Sequence, residues 1–148
     1  MKVKVKIEGL REVKDALRQL PDSTAKSVLR RVGKKRLKPV ADRARGYAPE
    51  DEGELKESIA VSTRLSKRQK RRHRKPDRND VEVYAGAGPH PQAHLQEFGT
   101  KDAPPQPFMR PAWDAENRGV LAGIKDDLWA EIMKVVDRRL RLVTKVKG

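Results

Sequence analysis

Apolar and polar positions alternate at the start of the chain, where Val3, Val5 and Ile7 stand between Lys2, Lys4 and Lys6. A period of two predicts a half-buried strand, and a row of lysines suits a sheet edge. Gly9 breaks the pattern. Leu10, Val13, Leu17 and Leu20 then recur at helical spacing, up to Pro21. Asp22 or Ser23 is placed to cap a second, longer helix reaching to about Gly46, with Ala25, Val28, Leu29, Val32, Leu37, Val40, Ala41 and Ala44 as its apolar positions. Pro39 lies inside it and predicts a kink or break near Lys35 to Pro39.

Ala48-Pro49-Glu50-Asp51-Glu52-Gly53 reads as a turn, and Leu55 to Arg64 as a strand. Val81, Val83 and Ala85 alternate with Glu82 and Tyr84, which predicts a second strand. The polar stretch between them reads as the tip of an extended hairpin. A short helix over about Gln92 to Glu97 is ended by Gly99, and Pro104, Pro105, Pro107 and Pro111 stiffen the next segment of chain. From Pro111, which suits a first helical turn, a helix is predicted to about Val143. Its stripe is Trp113, Leu121, Ile124, Leu128, Ile132, Val135 and Leu142. Asp114 and Glu116 near its start, with Arg138, Arg139 and Arg141 near its end, complement its dipole. The chain contains no internal repeat. The expected fold is one α+β domain over residues 1–148, a small, mostly antiparallel sheet packed by two long helices, with residues 66–79 as a long basic loop or hairpin tip.

Composition changes that picture in one respect. Of 148 residues, 38% are charged, 36% hydrophobic and 4% aromatic. A core drawn from so few large apolar residues is thin, and apolar surface left outside it is covered by association. An oligomer is expected. Cysteine is absent, which excludes disulfides and thiolate metal sites. The amino-terminal alternation lacks the apolar core of a signal peptide. No apolar run approaches the roughly 20 residues of a membrane helix, so no membrane partner and a reducing, aqueous setting are expected.

The net charge of +14 invites a nucleic-acid reading. Much of it is local: between Ser66 and Asn79, Lys67, Arg68, Lys70, Arg71, Arg72, Arg74, Lys75 and Arg78 face only Asp77. Self-repulsion and the lack of apolar residues predict a solvated loop or disordered arm. Such a tract is either simply solvated or a contacting arm, whose targets would be DNA or acidic protein surfaces. With no interleaved aromatic, contact with DNA would fall on phosphates rather than bases. A sequence-independent nucleic-acid-binding module using residues 67–78 is the alternative function.

Candidate chemistry is sparse. His90, His94 and Glu97 have metal-ligand spacings, but Pro89 and Pro91 flank His90 and one short segment supplies no second shell. Glu50, Asp51, Glu52 and Glu54 lack the alternating ligands of a calcium loop. They read as a solvated acidic turn. Neither a Ser-His-Asp arrangement, a phosphate loop nor an HExxH motif occurs. No enzyme, metal or cofactor is expected.

The most informative stretch runs from Ala93 through Glu97-Phe98-Gly99-Thr100 to Pro107-Phe108-Met109-Arg110-Pro111-Ala112 and Trp113. Aromatics fixed between prolines and a glycine have little ordering entropy to lose. They anchor the last helix to the sheet, form a subunit interface, or do both. A Glu-Phe-Gly-Thr block followed by Pro-Phe-hydrophobic-Arg-Pro-Ala and a terminal helix resembles the tail-completion, or head–tail joining, proteins of long-tailed bacteriophages. So does Ala48-Pro49, a short acidic turn, Gly53, Leu55 and Ser58-Ile59. The resemblance spans nearly the whole chain. It implies a non-enzymatic component of the virion's neck or tail top, assembled in the host cytoplasm into a homo-oligomeric ring, six-fold to match a tail tube. The implied partners are further copies of itself, the head–tail connector and tail-tube or tail-terminator proteins, while non-specific contact with genomic DNA would rest on the basic tract. Glu97, Phe98, Gly99, Thr100, Pro107, Phe108, Arg110, Pro111 and Trp113 are the implied interface and anchor residues.

Overall fold

The computed structural model describes residues 10–50, 53–78 and 80–147. The predicted edge strand of Val3, Val5 and Ile7 lies outside them. Helix α1 (Leu10–Arg18) is followed by α2 (Asp22–Tyr47), α3 (Glu54–Ser58), strand β1 (Ala60–Ser62), α4 (Lys67–Arg72), β2 (Tyr84–Gly86), α5 (Ala93–Phe98) and α6 (Met109–Lys147). At 1.5 Å per residue, α2 is about 39 Å long and α6 about 58 Å.

The α2–α6 pair is the frame of the molecule. Val28, Val32, Val40, Ala41 and Ala44 of α2 are buried, as are Ala112, Val120, Leu128 and Ile132 of α6. Charged pairs border this seam: Arg31 meets Glu131 at 2.7 Å, Lys35 and Arg36 both meet Asp127, and Arg43 meets Glu116 at 2.6 Å. Positions rise along α2 as their partners fall along α6, so the helices run antiparallel. The interior has two joined clusters. One packs Val13 of α1 on Val28, Val32, Leu128 and Ile132. The other gathers Ala44, Leu55, Ile59, Ala87, Phe108 and Val120 where the sheet meets the helices. Valine and alanine dominate both, in keeping with the thin core expected from composition.

Among the described residues the sheet has two strands, β1 antiparallel to β2, with Ala60 opposite Gly86, Val61 opposite Ala85 and Ser62 opposite Tyr84. The basic tract lies in the connection between them. Several details differ from the sequence expectations. The strand predicted from Leu55 is a helical turn until Ser58. Gly53, at φ 78°, redirects the chain, and Leu55 and Ile59, four apart, then bury together on one face. Ladder pairing of the second strand begins only at Tyr84, and Val83 just before it closes on α2 at Gly33. A Cβ on Gly33 would stand 2.7 Å from Val83 Cγ2.

Helix α2 runs without a break through Pro39. That proline removes a backbone donor, but it lies on the exposed face while Val40 and Ala41 beside it are buried. Burial on the inner face outweighs the lost bond. Neither Asp22 nor Ser23 caps the helix; Pro21 is at the N-cap, with no side-chain hydrogen bond. The α6 stripe is also rotated from the predicted one near its ends. Ala112 is buried where Trp113 was expected, Trp113 is exposed, and Leu142 projects beyond the packed part of the helix. The basic tract is not wholly a loop, since Lys67–Arg72 is helical.

Candidate functional site

The corner between α5 and α6 is built around one carboxylate. The first turn of a helix presents backbone N–H groups with no intrahelical acceptor, and Gln106-Pro107-Phe108 supplies no capping side chain. Glu97, only 6% exposed, fills that role from the previous helix. Its Oε2 accepts the N–H of Phe108 at 2.9 Å and of Met109 at 3.0 Å, and its Oε1 accepts that of Arg110 at 3.0 Å. The Arg110 side chain closes the arrangement, donating Nε to Glu97 Oε1 at 3.2 Å and Nη2 to the Glu97 carbonyl at 3.0 Å. Burial by itself raises the Glu97 pKa. The three backbone donors and the guanidinium outweigh it and hold the carboxyl below its ordinary value.

The loop from Gly99 to Pro107 is shaped by the same contacts. Gly99 closes α5, donating to Leu95 O at 2.8 Å, and turns at φ 76°, ψ 175°. Only glycine adopts that conformation readily, and a Cβ there would meet Pro105 N at 2.7 Å. Thr100 Oγ1 accepts from the N–H of Ala103 at 3.0 Å, and Gln106 N donates to Gln96 O at 2.7 Å. Pro107 is exposed, and Pro111 stands half-buried in the first turn of α6, where it needs no donor.

The two phenylalanines of the corner have opposite fates. Phe108 is 1% exposed and fills the larger core cluster. Phe98 is 57% exposed. It is nonetheless held, with the His94 ring 4.9 Å away and the Arg110 guanidinium 5.1 Å from its ring centre. Leu95 beside it is 48% exposed. The corner thus carries a fixed apolar platform on a rigid base. Glu97 is committed to the helix terminus rather than to His90 or His94. In the acidic turn, Glu50 pairs with Lys56 at 2.7 Å, which lowers its pKa.

Sequence reasoning singled out Glu97 without finding its role. The available signal was a helix start with no local cap and a carboxylate shortly upstream. It also missed Arg45, which donates Nε to the Ile59 carbonyl at 3.0 Å and ties α2 to the start of β1.

The predicted basic residues lie on and after α4. Ser66 caps that helix in a capping box with Gln69, whose amide also donates to Gly88 O at 3.1 Å. All eight basic side chains of the tract are exposed, and among the described residues none has a carboxylate partner. His73, in contrast, meets Glu82 at 2.7 Å. Tyr84 donates its hydroxyl to the same carboxylate, which pushes the phenol up to about 12 and Glu82 down. A groove of about 340 Å³ is lined by residues of both regions, among them Phe98, Phe108 and Met109 of the corner and Arg64 and Gln69 beside the basic tract.

Fold and site define a helix-dominated α+β protein whose best-built feature is a structural joint. Among the described residues no cluster of metal-ligating side chains occurs, and no helix is long and apolar enough to cross a membrane. The chain belongs to the HK97-gp10-like family of phage tail components: the family model described as "Bacteriophage HK97-gp10, putative tail-component" matches residues 11–99. The matched span takes in the block from Ala48 to Ile59 and Glu97-Phe98-Gly99, and ends before Pro107. No curated protein and no solved structure matches the chain. A structural role in the phage tail, and with it a place in the virion, follows from the family.

Proposed function

We propose that the chain is the repeating subunit of a ring at the head–tail junction, joining the tail tube to the DNA-filled head without catalysing a reaction. The observation that carries this reading is the platform of Phe98 and Leu95, apolar and exposed yet fixed by His94, Arg110 and the Glu97 cap. Exposed aromatics on a rigid base are the usual anchors of protein interfaces. A second apolar surface supports self-association. Trp129, Met133, Leu140 and Val143 are exposed on α6 at spacings of four, seven and three, which places them along one stripe. Six copies around an axis would match a tail tube. The connector and the tail-tube or tail-terminator proteins are the neighbours above and below.

The test is the mass of the purified full-length protein at increasing concentration, together with mass spectrometry of purified particles. The proposal expects a closed multimer and a fixed copy number per particle. A monomer at every concentration, absent from particles, would contradict it. The reading as a free-standing nucleic-acid module would instead require function from a monomer outside any particle.

A further inference from the structure

We propose that the face formed by α4 and the segment following it binds the phosphate backbone of duplex DNA without regard to sequence. This goes beyond the ring reading and does not require ring closure. Three observations carry it.

The first is the contrast in pairing between basic groups. On α2, Arg31, Lys35, Arg36 and Arg43 are neutralised by carboxylates of α6, while Lys26, Arg30, Lys34 and Lys38, spaced a helical turn apart, have no ion pair among the described residues. The tract's cations have no such partner among the described residues, although Asp77 lies within the tract and Glu82 is nearby. Glu82 is occupied by His73 and Tyr84. Unpaired charge held at this density repels itself, and a polyanion relieves that repulsion.

The second is order. The capping box of Ser66 and Gln69 starts the helix, and the Gln69 amide fastens it to Gly88. Lys70, Arg71 and Arg72 are therefore displayed from a fixed backbone, which reduces the entropy lost on binding.

The third is shape. An open pocket of about 480 Å³ is lined by Arg64, Lys70, Arg74 and Lys75 together with Leu65 and Tyr84. The wall is mostly apolar, and the four basic residues border it, so that their cations are gathered around one depression of the surface. Its one phenol ring stands edge-on to His73, 5.8 Å away, with its hydroxyl engaged by Glu82. That ring is a wall rather than a free stacking platform. Single-strand binders rely on stacking platforms, whereas duplex binding needs only charge aligned on phosphates.

The test measures binding of the full-length protein to a mixed-sequence duplex by fluorescence anisotropy between about 50 and 200 mM salt. The wild type is expected to bind, with affinity falling steeply as salt rises. Replacing Lys70, Arg71, Arg72 and Arg74 together by Gln should reduce the magnitude of the log–log salt slope by about 3–4, since each phosphate contact contributes about 0.9. A smaller variant, K70Q/R74Q, guards against misfolding of the larger one, and should lose about half as much slope. A control replaces Arg138, Arg139, Arg141 and Lys145 at the far end of α6 by Gln and should keep the wild-type slope.

Each of four results would overturn the proposal. They are a wild type that does not bind duplex at the lowest salt, tract variants that bind as the wild type does, a control that loses as much as the tract variant, and polyglutamate displacing the duplex at lower charge concentration than DNA itself. The third result means diffuse net charge; the fourth means an acidic protein surface.

Discussion

Glu97 accepts the backbone N–H of Phe108 at 2.9 Å across eleven residues of sequence, so the end of one helix caps the beginning of the next. The bond couples two functions of the corner. It fixes the start of α6 with Phe108 in the core, and it orients the Phe98 ring beside Arg110. A carboxylate bonded to backbone donors in a helix's first turn gains from both hydrogen bonding and the helix dipole.

Replacing Glu97 by Gln should therefore destabilise the fold by about 1–2 kcal/mol near neutral pH, through loss of charge-assisted bonds. The folded-state pKa is lowered, so the contribution is complete above the ordinary glutamate value and disappears as pH falls through the lowered one. Urea midpoints of wild type and E97Q should differ at pH 7 and converge in acid. A gap of constant size down to about pH 3 would show that the carboxylate's charge is not what stabilises the corner. Comparing the two proteins isolates Glu97 from Asp127 and Glu131, whose pKa values are also lowered.

Two glycines should respond in opposite directions to alanine. At Gly99 the positive φ and the 2.7 Å approach to Pro105 N leave no room for a Cβ, and G99A should lose about 1–3 kcal/mol. At Gly119, inside α6, nothing lies within 4 Å of the added carbon. G119A should gain about 0.5–1 kcal/mol from helix propensity. Thermal denaturation of both variants checks the pair, and equal losses would refute the assigned backbone geometry.

The phenylalanines should separate stability from assembly. F108A removes the largest fully buried side chain and should cost about 3–5 kcal/mol. F98A removes an exposed ring, so its unfolding free energy should change by less than about 1 kcal/mol. Its loss should appear in sedimentation, as a shift from multimer toward monomer. Unchanged sedimentation of F98A would remove the platform from the interface.

Asp127 is shared by Lys35 and Arg36 at the α2–α6 seam. D127N should destabilise by about 1 kcal/mol and flatten the salt dependence of stability. K35Q should do little, because that lysine's side chain is 70% exposed. Chemical denaturation at low and high salt distinguishes the two variants.

The long helices were legible because their apolar positions recur over many turns. Val28, Val32, Val40 and Ala44 are both periodic in the sequence and buried in the fold. Short elements depended on contacts that the sequence does not display. Leu55 and Ile59 fit either a strand or one helical turn, and the redirection at Gly53 selected the turn. Pro39 predicted an interruption that burial of its neighbours overrode. The Ser66-x-x-Gln69 spacing was a readable start signal for α4, masked by the surrounding positive charge. At the corner, the residue types Glu97, Phe98, Gly99 and Phe108 were visible as a block. Phe98 ends α5 and Phe108 stands just before α6, so which ring is buried depends on how the two helices meet, and the Glu97 cap fixes that meeting.

Central to the proposed ring is the meeting of Phe98 with an adjacent copy around the tail axis. A reconstruction of the particle's neck by electron cryomicroscopy tests this most directly. The predicted result is a ring of this chain in which each Phe98 is buried against its neighbour. Density for the neck that leaves this chain out, or that shows Phe98 facing solvent with no copy beside it, would contradict the proposed ring.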